Sequence, residues 1–380
     1  MDRAFPSQEP QLDNQRRSVL RGCNCHGENE DAAGGRWSVT DCRKEKDETI
    51  VVTPRVAVGI INYGDYRHLP VCLDSVKRQS LKADRVMLLD NQSCDEAIGP
   101  IASAYPDVHL LSMRENLGYS GGANRIIREA DGYDYILLLN PDAVLEARCL
   151  EEMVLAMDSA PGAGAVGGKL VLGDPRLESG LGDTGARILD STGHLVFRNR
   201  RVIDRGHDEQ DVGQYDRPEE IFSVCGAAVL FRRAMLEEVR IGSEYFDEDF
   251  FAYKEDVDIC WRAQLLGWNS LYHPAATAYH LRGWKRRDDR RRVPWVRKYH
   301  SFKNHYLMMI KNELPALFWR DFLPILWLGV RAMAYISIME PALWRSVLDL
   351  RKYWPRARHK RRIIMGRRRA SVEMMGRWFV

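Results

Sequence analysis

The chain of 380 residues is too long for a small single module and long enough for two domains or for one large α/β domain with additional segments. Hydrophobic residues make up 45% of it, which is ordinary for a globular protein. The formal net charge is only +3, but residues 282–380 carry 25 Lys and Arg against 7 Asp and Glu, whereas the rest carries 31 against 46. A basic part attached to an acidic body indicates an anionic partner, either lipid or nucleic acid.

Residues 1–54 are polar and lack apolar periodicity, which predicts a disordered or loosely held leader. The polar, acidic N-terminus does not fit a signal peptide, and the eight scattered cysteines are expected to be reduced thiols of a cytoplasmic protein. Cys23 and Cys25 with His26 give only a weak indication of a metal site, because no second pair of ligands accompanies them.

The next segment alternates between short apolar runs and helical patterns. Strands are predicted at 56–63, 85–90, 107–113 and 133–143, and helices at 68–79 and 121–130. This alternation predicts a parallel sheet with right-handed crossovers, and ligands of such sheets bind at the carboxyl ends of the strands. The polar residues cluster at those ends, as Asn62, Asp90, Asn91, Asn116, Asn140 and Asp142. The pattern therefore indicates a nucleotide-binding crevice.

Residues 145–280 combine predicted helices and strands in a less regular order. A helix is predicted at 145–157, and strands are predicted at 165–172 and at 186–204, the latter with a Ser-Thr-Gly turn. Residues 220–239 are predicted to contain a strand, a small-residue patch, a second apolar run and a helix. A helix is predicted at about 255–266, and short strands at 269–273 and 276–280. The segment from Phe246 to Trp268 places six carboxylates within twelve residues, interleaved with aromatic side chains. Aromatic neighbours indicate packing, and packed carboxylates tend to have raised pKa values. The alternative is an acidic helix N-terminus that complements the helix dipole.

The C-terminal part is apolar and rich in Trp between Leu314 and Leu350, with Arg320, Asp321 and Arg331 interrupting it. The interruptions argue against a membrane-spanning helix and favour a helix that lies in the membrane interface. An ordinary core or oligomer helix is the alternative. The basic run at 351–370 favours anionic lipid as the partner. Nucleic acid is not expected, because no groove-reading module accompanies the charge.

Seven motifs in this order resemble glycosyltransferase family 2, and most closely its bacterial rhamnosyltransferase-like branch, which adds a sugar to lipid-linked cell-envelope glycan precursors. They are IINYGDYRHLPVCLDSVKRQS, LLDNQS, RENLGYSGGANRII, YILLLNPDA, GAAVLFRRAMLEEV, FDEDFFAYKEDVDICWRAQLLGW and ATAYHLRG, within about residues 55–283. The resemblance implies a GT-A fold, which is an α/β, Rossmann-like and mostly parallel sheet with flanking helices. It also implies a nucleotide-sugar donor, a divalent metal ion and inversion at the anomeric carbon.

Four segments are expected on this basis. Residues 1–54 are the leader, 55–145 the half that binds the nucleotide sugar, 146–283 the acceptor-binding and catalytic half, and 284–380 a basic flap followed by C-terminal amphipathic helices.

The resemblance also implies the roles of individual residues. Asp142 and His280 are expected to bind Mg²⁺ or Mn²⁺, and carboxylate oxygen at a strand end is suited to either ion. Asp256 is expected to be the general base, with Glu255 holding acceptor hydroxyls or orienting the base. Arg282 is expected to clamp a diphosphate of the donor or the acceptor, with a solvated or lipid-facing stretch as the alternative. The residues expected to bind the donor are Asn62, Tyr63, Asp90, Asn116, Gly118, Tyr119, Gly121, Asn124 and Asn140.

The predicted function is that of an inverting, metal-dependent glycosyltransferase on the inner face of the cell membrane. Its expected donor is dTDP-L-rhamnose, and its expected acceptor is a polyprenyl-diphosphate-linked saccharide. Another UDP- or GDP-sugar remains an alternative donor, and a catalytically inactive GT-A scaffold in a glycan assembly complex is an alternative function. A nucleotidyltransferase is disfavoured, because no Gly-rich signature with basic residues follows the first strand.

Overall fold

A computed structural model of the chain describes residues 53–64, 66–92, 95–173, 187–281 and 293–380. The predictions for Cys23, Cys25 and Arg282, and for nearly all of the leader, lie outside these residues. Val52–Val380 form one compact unit.

Strands and helices follow one another in an order close to that predicted. The strands are β1 (Val56–Asn62), β2 (Arg85–Asp90), β3 (His109–Ser112), β4 (Tyr135–Leu139), β5 (Ala143–Leu145), β6 (Ala163–Leu172), β7 (Ile188–Ser191), β8 (His194–Val196), β9 (Val202–Asp204), β10 (Glu219–Ile221), β11 (Ala228–Arg232) and β12 (Asn269–His280). The helices are α1 (Leu69–Lys77), α2 (Asp95–Ala104), α3 (Gly118–Glu129), α4 (Cys149–Ser159), α5 (Arg233–Val239), α6 (Glu255–Leu265), α7 (Trp295–Asn312), α8 (Pro315–Arg320), α9 (Phe322–Met339), α10 (Trp344–Arg367) and α11 (Val372–Gly376).

The main sheet has the strand order β10-β12-β6-β11-β4-β1-β2-β3, with β5 paired to β12 and β7 paired to β6, while β8 and β9 form a separate ribbon. Strands β3, β2, β1 and β4 are parallel, and β11 is antiparallel to both of its neighbours. Asn62 and Asp90 are register partners at the carboxyl ends of β1 and β2. The parallel half therefore presents its strand ends along one edge, as expected for a ligand crevice.

Several boundaries differ from the predicted ones for local reasons. The predicted strand at 133–143 is divided into β4 and β5, because Pro141 cannot donate to a ladder and the Ala143 amide bonds to the Asn140 carbonyl. The two predicted strands at 269–273 and 276–280 form the single strand β12, with a register irregularity between His273 and Thr277. The segment at 186–204 breaks between β7 and β8 at the predicted Ser-Thr-Gly turn and again before β9, which was not predicted. Helix α2 was not predicted either.

Helices cover both faces of the sheet. Apolar side chains of α1 and α4 pack on one face in a core with Val58, and those of α3, α5 and α6 pack on the other face in a core with Leu138. Strand β1 is buried along its whole length, which explains its continuous apolar sequence. A third apolar cluster joins α7, α8, α10 and α11 to Trp261 of α6. The C-terminal helices therefore pack directly against the helix that carries the acidic motif.

Buried ion pairs reinforce this packing. Asp247 pairs with Lys311 of α7 and with Lys360 of α10, at 2.6 Å for Lys360, and Asp258 pairs with Lys311 at 2.9 Å and with Arg262 at 3.0 Å. Burial opposes ionisation of Asp247, but the two lysines outweigh it and lower its pKa. The prediction of raised pKa values for the packed carboxylates is thus wrong for Asp247. Part of the basic charge predicted to face a membrane is instead used inside the protein.

Helix α9 is the exception to this internal packing. Among the described residues it is the one helix whose length and composition would let it cross a membrane, and only 6% of it is buried. Its exposed side chains include Leu323, Trp327 and Ile338. Arg331 is the one charged residue within α9, so the apolar stretch is interrupted at that position, as predicted.

Candidate active site

A cleft of about 600 Å³ opens where β4, the end of β12 and the start of α6 meet. It is lined by six of the residues predicted from the sequence to form the site, which are Tyr119, Asn140, Asp142, Glu255, Asp256 and His280. The predicted metal ligands and the predicted base therefore share one cavity, although they are up to 138 positions apart in the sequence.

Asp142 and His280 form one side of this cleft. His280 Nε2 lies 3.3 Å from Asp142 Oδ1, and His280 Nδ1 lies 2.7 Å from Asp190 Oδ2. Burial opposes protonation of His280, but its hydrogen bonds with Asp142 and Asp190 outweigh burial and raise its pKa to about 9. Burial likewise opposes ionisation of Asp142, whose pKa is nevertheless lowered by His280.

The same two atoms fit a divalent cation. Two ligands at adjacent positions of an octahedral ion, each at about 2.1 Å from it, lie about 3 Å apart, which matches the separation of His280 Nε2 from Asp142 Oδ1. Asp190 holds the other nitrogen of the ring, an arrangement that is common behind metal-bound histidines. Asp190 was not predicted as a site residue.

Asp256 and Glu255 lie at the start of α6 on another part of the cleft wall. Asp256 Oδ2 accepts a hydrogen bond from the Gly226 amide at 3.0 Å, and Oδ1 accepts one from the Val257 amide at 2.8 Å. A Cβ atom at Gly226 would lie 3.2 Å from Asp256 Oδ2, so the small residue allows this close approach. Both bonds fix the orientation of the Asp256 carboxylate.

Glu255 differs from Asp256 in its surroundings. Its side chain is buried, and within the described part of the chain no group hydrogen bonds its Oε2 atom. Burial, and then the charge of Asp256, raise its pKa well above the ordinary value for Glu. Glu255 is therefore suited to hydrogen bond a ligand that enters the cleft, as a neutral group.

The loop that leads into α6 has a strained backbone. Phe251, Tyr253 and Lys254 have positive φ values of 65°, 71° and 68°, although none is glycine. Asn304 of α7 stabilises this loop, because its Nδ2 donates to the carbonyls of Phe250, Ala252 and Tyr253 at 2.7–3.0 Å. Residues held in such conformations cluster at functional sites.

A cluster of polar side chains next to Asp256 was not predicted from the sequence. His194 Nε2 lies 3.4 Å from Asp204 Oδ1 and 3.9 Å from Asp256 Oδ2, and its Nδ1 lies 2.8 Å from Ser223 Oγ. Burial opposes protonation of His194, but Asp204 and Asp256 outweigh it and raise its pKa. The raised pKa favours the protonated, positively charged form of His194 beside the predicted base.

The same cluster is a second candidate metal site. Ligand atoms of His194, Asp204 and Cys225 all lie within 4.8 Å of one another. A thiolate and an imidazole favour ions such as Zn²⁺, whereas an ion that binds phosphate oxygens prefers oxygen-rich ligands. Asp142 with His280 is the better match for a hard cation.

The residues at the ends of β1 and β2 are not among the side chains that line the cleft. Asn62 is fully buried, and neither polar atom of its amide has a hydrogen-bond partner within the described residues. Tyr63 is 62% exposed, and Asp90 is buried and accepts a hydrogen bond from Tyr66 at 3.1 Å. They share the strand-end edge with Asp142, as predicted, and their contact with a donor stays a prediction.

Polar side chains of the loop at 116–124 form hydrogen bonds within the protein, and contact of this loop with a donor stays a prediction. All four hydrogen-bonding positions of the Asn124 side-chain amide are filled by Tyr245, Phe246 and Glu248. The amide therefore has no position left to hydrogen bond a nucleotide-sugar donor. Asn116 Oδ1 accepts from the Gly118 amide and from Asn91. These residues shape the loop because their polar atoms are bonded within the protein.

The glycines of this loop are required for packing. Gly118 has a φ of 67°, and a Cβ atom there would lie 2.4 Å from the Phe251 carbonyl oxygen. A Cβ atom at Gly121 would lie 2.8 Å from the Leu117 side chain. Tyr119 does line the cleft, and its hydroxyl donates to the Gly226 carbonyl at 3.1 Å.

Comparison with known proteins identifies the family of the chain. The model of glycosyl transferase family 2 matches residues 57–240. The N-acetylglucosaminyl-diphospho-decaprenol L-rhamnosyltransferase of Mycobacterium tuberculosis is 30% identical over 246 residues, which are 60% of this chain and 76% of that protein. The poly-beta-1,6-N-acetyl-D-glucosamine synthase of Staphylococcus aureus is 22% identical over 238 residues, which are 59% of this chain and 50% of that one.

Two solved structures share the fold. GalNAc-T7, solved with UDP, GalNAc and Mn²⁺, has a TM-score of 0.51 at 14% identity over 72% of this chain and 51% of its own. TarS of S. aureus has a TM-score of 0.50 at 15% identity over 82% of this chain and 54% of its own. This chain thus spans about half of each of those proteins, and the likeness establishes the fold alone. The expected GT-A architecture is confirmed. Sequence and structure together show that the chain belongs to glycosyltransferase family 2.

Proposed function

We propose that this protein is an inverting glycosyltransferase that moves a sugar onto a polyprenyl-diphosphate-linked cell-envelope glycan precursor. L-Rhamnose from dTDP-L-rhamnose is the donor that we favour, since the relative from M. tuberculosis is an L-rhamnosyltransferase of a decaprenol-linked sugar. The observation that carries the proposal is the single cleft lined by Asp142 and His280 together with Glu255 and Asp256. Glycosyl transfer needs these two functions, which are stabilisation of an anionic leaving group and deprotonation of an alcohol.

Asp142 and His280 would hold Mg²⁺ or Mn²⁺. A divalent cation bound there supplies positive charge for the nucleoside diphosphate as it leaves. Asp190 keeps the His280 ring in the orientation that points Nε2 toward Asp142. Asn140 lies beside Asp142 in the cleft, where its amide is available to a ribose hydroxyl.

Asp256 takes the proton of the acceptor hydroxyl in the proposed reaction. The acceptor oxygen forms a bond to the anomeric carbon, the bond from that carbon to the diphosphate oxygen breaks, and the proton ends on the Asp256 carboxylate. The amides of Gly226 and Val257 keep that carboxylate oriented. Neutral Glu255 hydrogen bonds the acceptor through its unpaired Oε2 atom, and protonated His194 stabilises the ionised base before transfer.

We also propose that the protein acts in the cytoplasm, bound peripherally to the inner face of the membrane through α9. Ile336 packs with Tyr299 and Leu343 in a small cluster, so one face of α9 rests on the protein. The opposite face exposes Leu323 and Trp327. A helix with one face on a soluble domain and the other apolar and exposed is suited to the membrane interface.

Two isosteric variants test the proposed roles. Asp256→Asn should reduce transfer from dTDP-L-rhamnose by about 10²–10⁴-fold, the usual contribution of a general base, with donor binding nearly unchanged. Asp142→Asn should instead weaken Mn²⁺-dependent donor binding in a thermal shift assay. Full activity of the Asp256→Asn variant would refute the assignment of the base. No donor binding by the unmodified protein, from a panel of nucleotide sugars with Mn²⁺, would refute the proposed function.

A further inference from the structure

A second cavity of about 650 Å³ adjoins the cleft, and we call it the basic cavity. Four residues line both spaces, namely Val202, Lys254, Arg297 and Ser301. Lys254 is next to Glu255 in the chain and belongs to the strained loop before α6. A ligand that extends from the cleft past this shared wall enters the basic cavity.

The charge of the basic cavity has one sign. Arg201, Lys254, Arg297, Lys298 and Arg331 line it, and its described lining contains no carboxylate. Lys298 pairs with Glu340 at 3.1 Å, whereas no described carboxylate forms an ion pair with Arg201, Lys254 or Arg331. Unpaired cations around one cavity attract a compact, highly charged anion, and guanidinium groups match phosphate oxygens in geometry.

The rest of the lining comes largely from two helices and includes apolar side chains beside polar ones such as Asn199, Ser301 and His305. Phe302 of α7 and Leu328, Ala332 and Tyr335 of α9 are among the lining residues. The neighbouring residues Leu326, Trp327 and Val330 of α9 are exposed on its outer surface. Helix α9 therefore forms the wall between the basic cavity and the apolar surface that we propose faces lipid.

We infer that the basic cavity binds the isoprenoid diphosphate of the acceptor. Its cations bind the diphosphate, and its apolar wall along α9 guides the first isoprene units toward the membrane. This inference rests on the proposed function, because it assumes that the cleft transfers a sugar to a lipid-linked acceptor. The first sugar of the acceptor, attached to the diphosphate, then lies at the shared wall next to Glu255 and Asp256. The inference assigns separate sites to the two diphosphates of the reaction.

Binding of farnesyl diphosphate to the full chain in detergent tests the inference without catalysis. Arg201→Gln and Arg331→Gln should each weaken this binding roughly tenfold, the effect of removing one charge-assisted hydrogen bond. Both arginines are exposed, so the substitutions should leave folding intact. Arg351→Gln, on an exposed site of α10 outside the cavity, is the matched control and should bind like the unmodified protein. Affinity for dTDP should not change in any of the three variants.

A substitution in the apolar wall tests binding of the isoprenoid chain separately from binding of the diphosphate. Ala332→Trp fills the cavity beside α9 and should weaken farnesyl diphosphate while inorganic diphosphate binds as before. The inference is overturned if neither arginine variant weakens farnesyl diphosphate binding. It is also overturned if dTDP affinity falls in parallel with it, since the cavity would then serve the donor. Arginine-dependent binding of farnesyl diphosphate without any donor binding would instead support the cavity and refute the proposed function.

Discussion

Removal of the Asn304 side-chain amide should impair catalysis much more than the accompanying loss of protein stability explains. Asn304 is fully buried in α7, and its Nδ2 donates to three carbonyls of the loop before α6, those of Phe250, Ala252 and Tyr253. The two amide protons contribute about 1 kcal/mol each, and the carbonyls left without a partner add to the loss. We therefore expect Asn304→Ala to lower the free energy of unfolding by about 2–3 kcal/mol, which is about 5 °C in Tm at roughly 2 °C per kcal/mol.

The effect on activity follows from the strain in this loop. Three non-glycine residues with positive φ store about 1–3 kcal/mol each, and the three hydrogen bonds from Asn304 help to hold the backbone in this conformation. The loop should relax and move Glu255 and Asp256. Because a displacement of about 1 Å costs roughly 10²-fold in rate, kcat should fall by about that factor. The KM for the donor should change little, since Asp142 and His280 are held by other elements.

Asn312→Ala is the matched control for this variant. Asn312 is on the same helix and is also fully buried, but its Nδ2 donates to Asp258 Oδ1 at 2.8 Å instead of to the strained loop. It should lose similar stability and keep kcat within about threefold. The measurements are thermal unfolding and steady-state kinetics corrected for the folded fraction. The reasoning is refuted if Asn304→Ala keeps its kcat, or if Asn312→Ala loses as much.

Three further predictions follow from other parts of the structure. Asp190→Asn should weaken Mn²⁺ affinity by about 10–100-fold, because it loosens the ring of His280, and electron paramagnetic resonance titration measures this directly. Asp247→Asn should make the free energy of unfolding depend less steeply on pH at acid pH. The lowered pKa of Asp247 in the folded state adds stability that is present above the ordinary Asp pKa of about 4 and is lost as the pH falls toward the folded value. Replacement of exposed Leu323 and Trp327 by Ser should release the protein from anionic vesicles in a flotation assay while its fold is kept.

Each of these predictions has a comparison that could contradict it. Asp107→Asn, at an exposed position, should leave the pH dependence of stability unchanged, and an equal effect of both Asp variants would disprove the buried-pair argument. Leu155→Ser removes an exposed apolar side chain from α4 and should not affect vesicle binding. Unchanged Mn²⁺ affinity in Asp190→Asn would indicate that His280 does not bind the ion.

The sequence predicted well those features that depend on local patterns. Buried apolar runs located the parallel strands, and the ends of those strands located Asp142 at the cleft. Asp256 and His280 were found through motifs that stand at the start of a helix and the end of a strand. Each of these residues is positioned by an element whose own sequence reveals it.

Residues that reach the site through tertiary packing could not be predicted in this way. Asp190 is 90 positions before His280 and lies in a short strand whose sequence carries no motif. His194 approaches Asp256 only because β8 packs near the start of α6. In the sequence, Asn304 cannot be distinguished from any other polar residue of an amphipathic helix. Its role depends on carbonyl groups about 50 positions away, which local patterns do not reveal. The hydrogen bonds of Asn124 could not be predicted for the same reason, because its partners Tyr245 and Phe246 are distant in sequence.

The acidic motif and the basic C-terminal part are explained together by the pairing of Asp247 with Lys311 and Lys360. Composition showed two regions of opposite charge, and it predicted an external anionic partner for the basic one. Pairing inside the protein instead connects the C-terminal helices to the loop that orients Asp256, while α9 in the same segment forms a wall of the basic cavity. Removal of these helices would thus disturb the base, the cavity and the exposed apolar face at once. Loss of activity after truncation is therefore no evidence for membrane binding, and only substitutions confined to one of the three can separate their contributions.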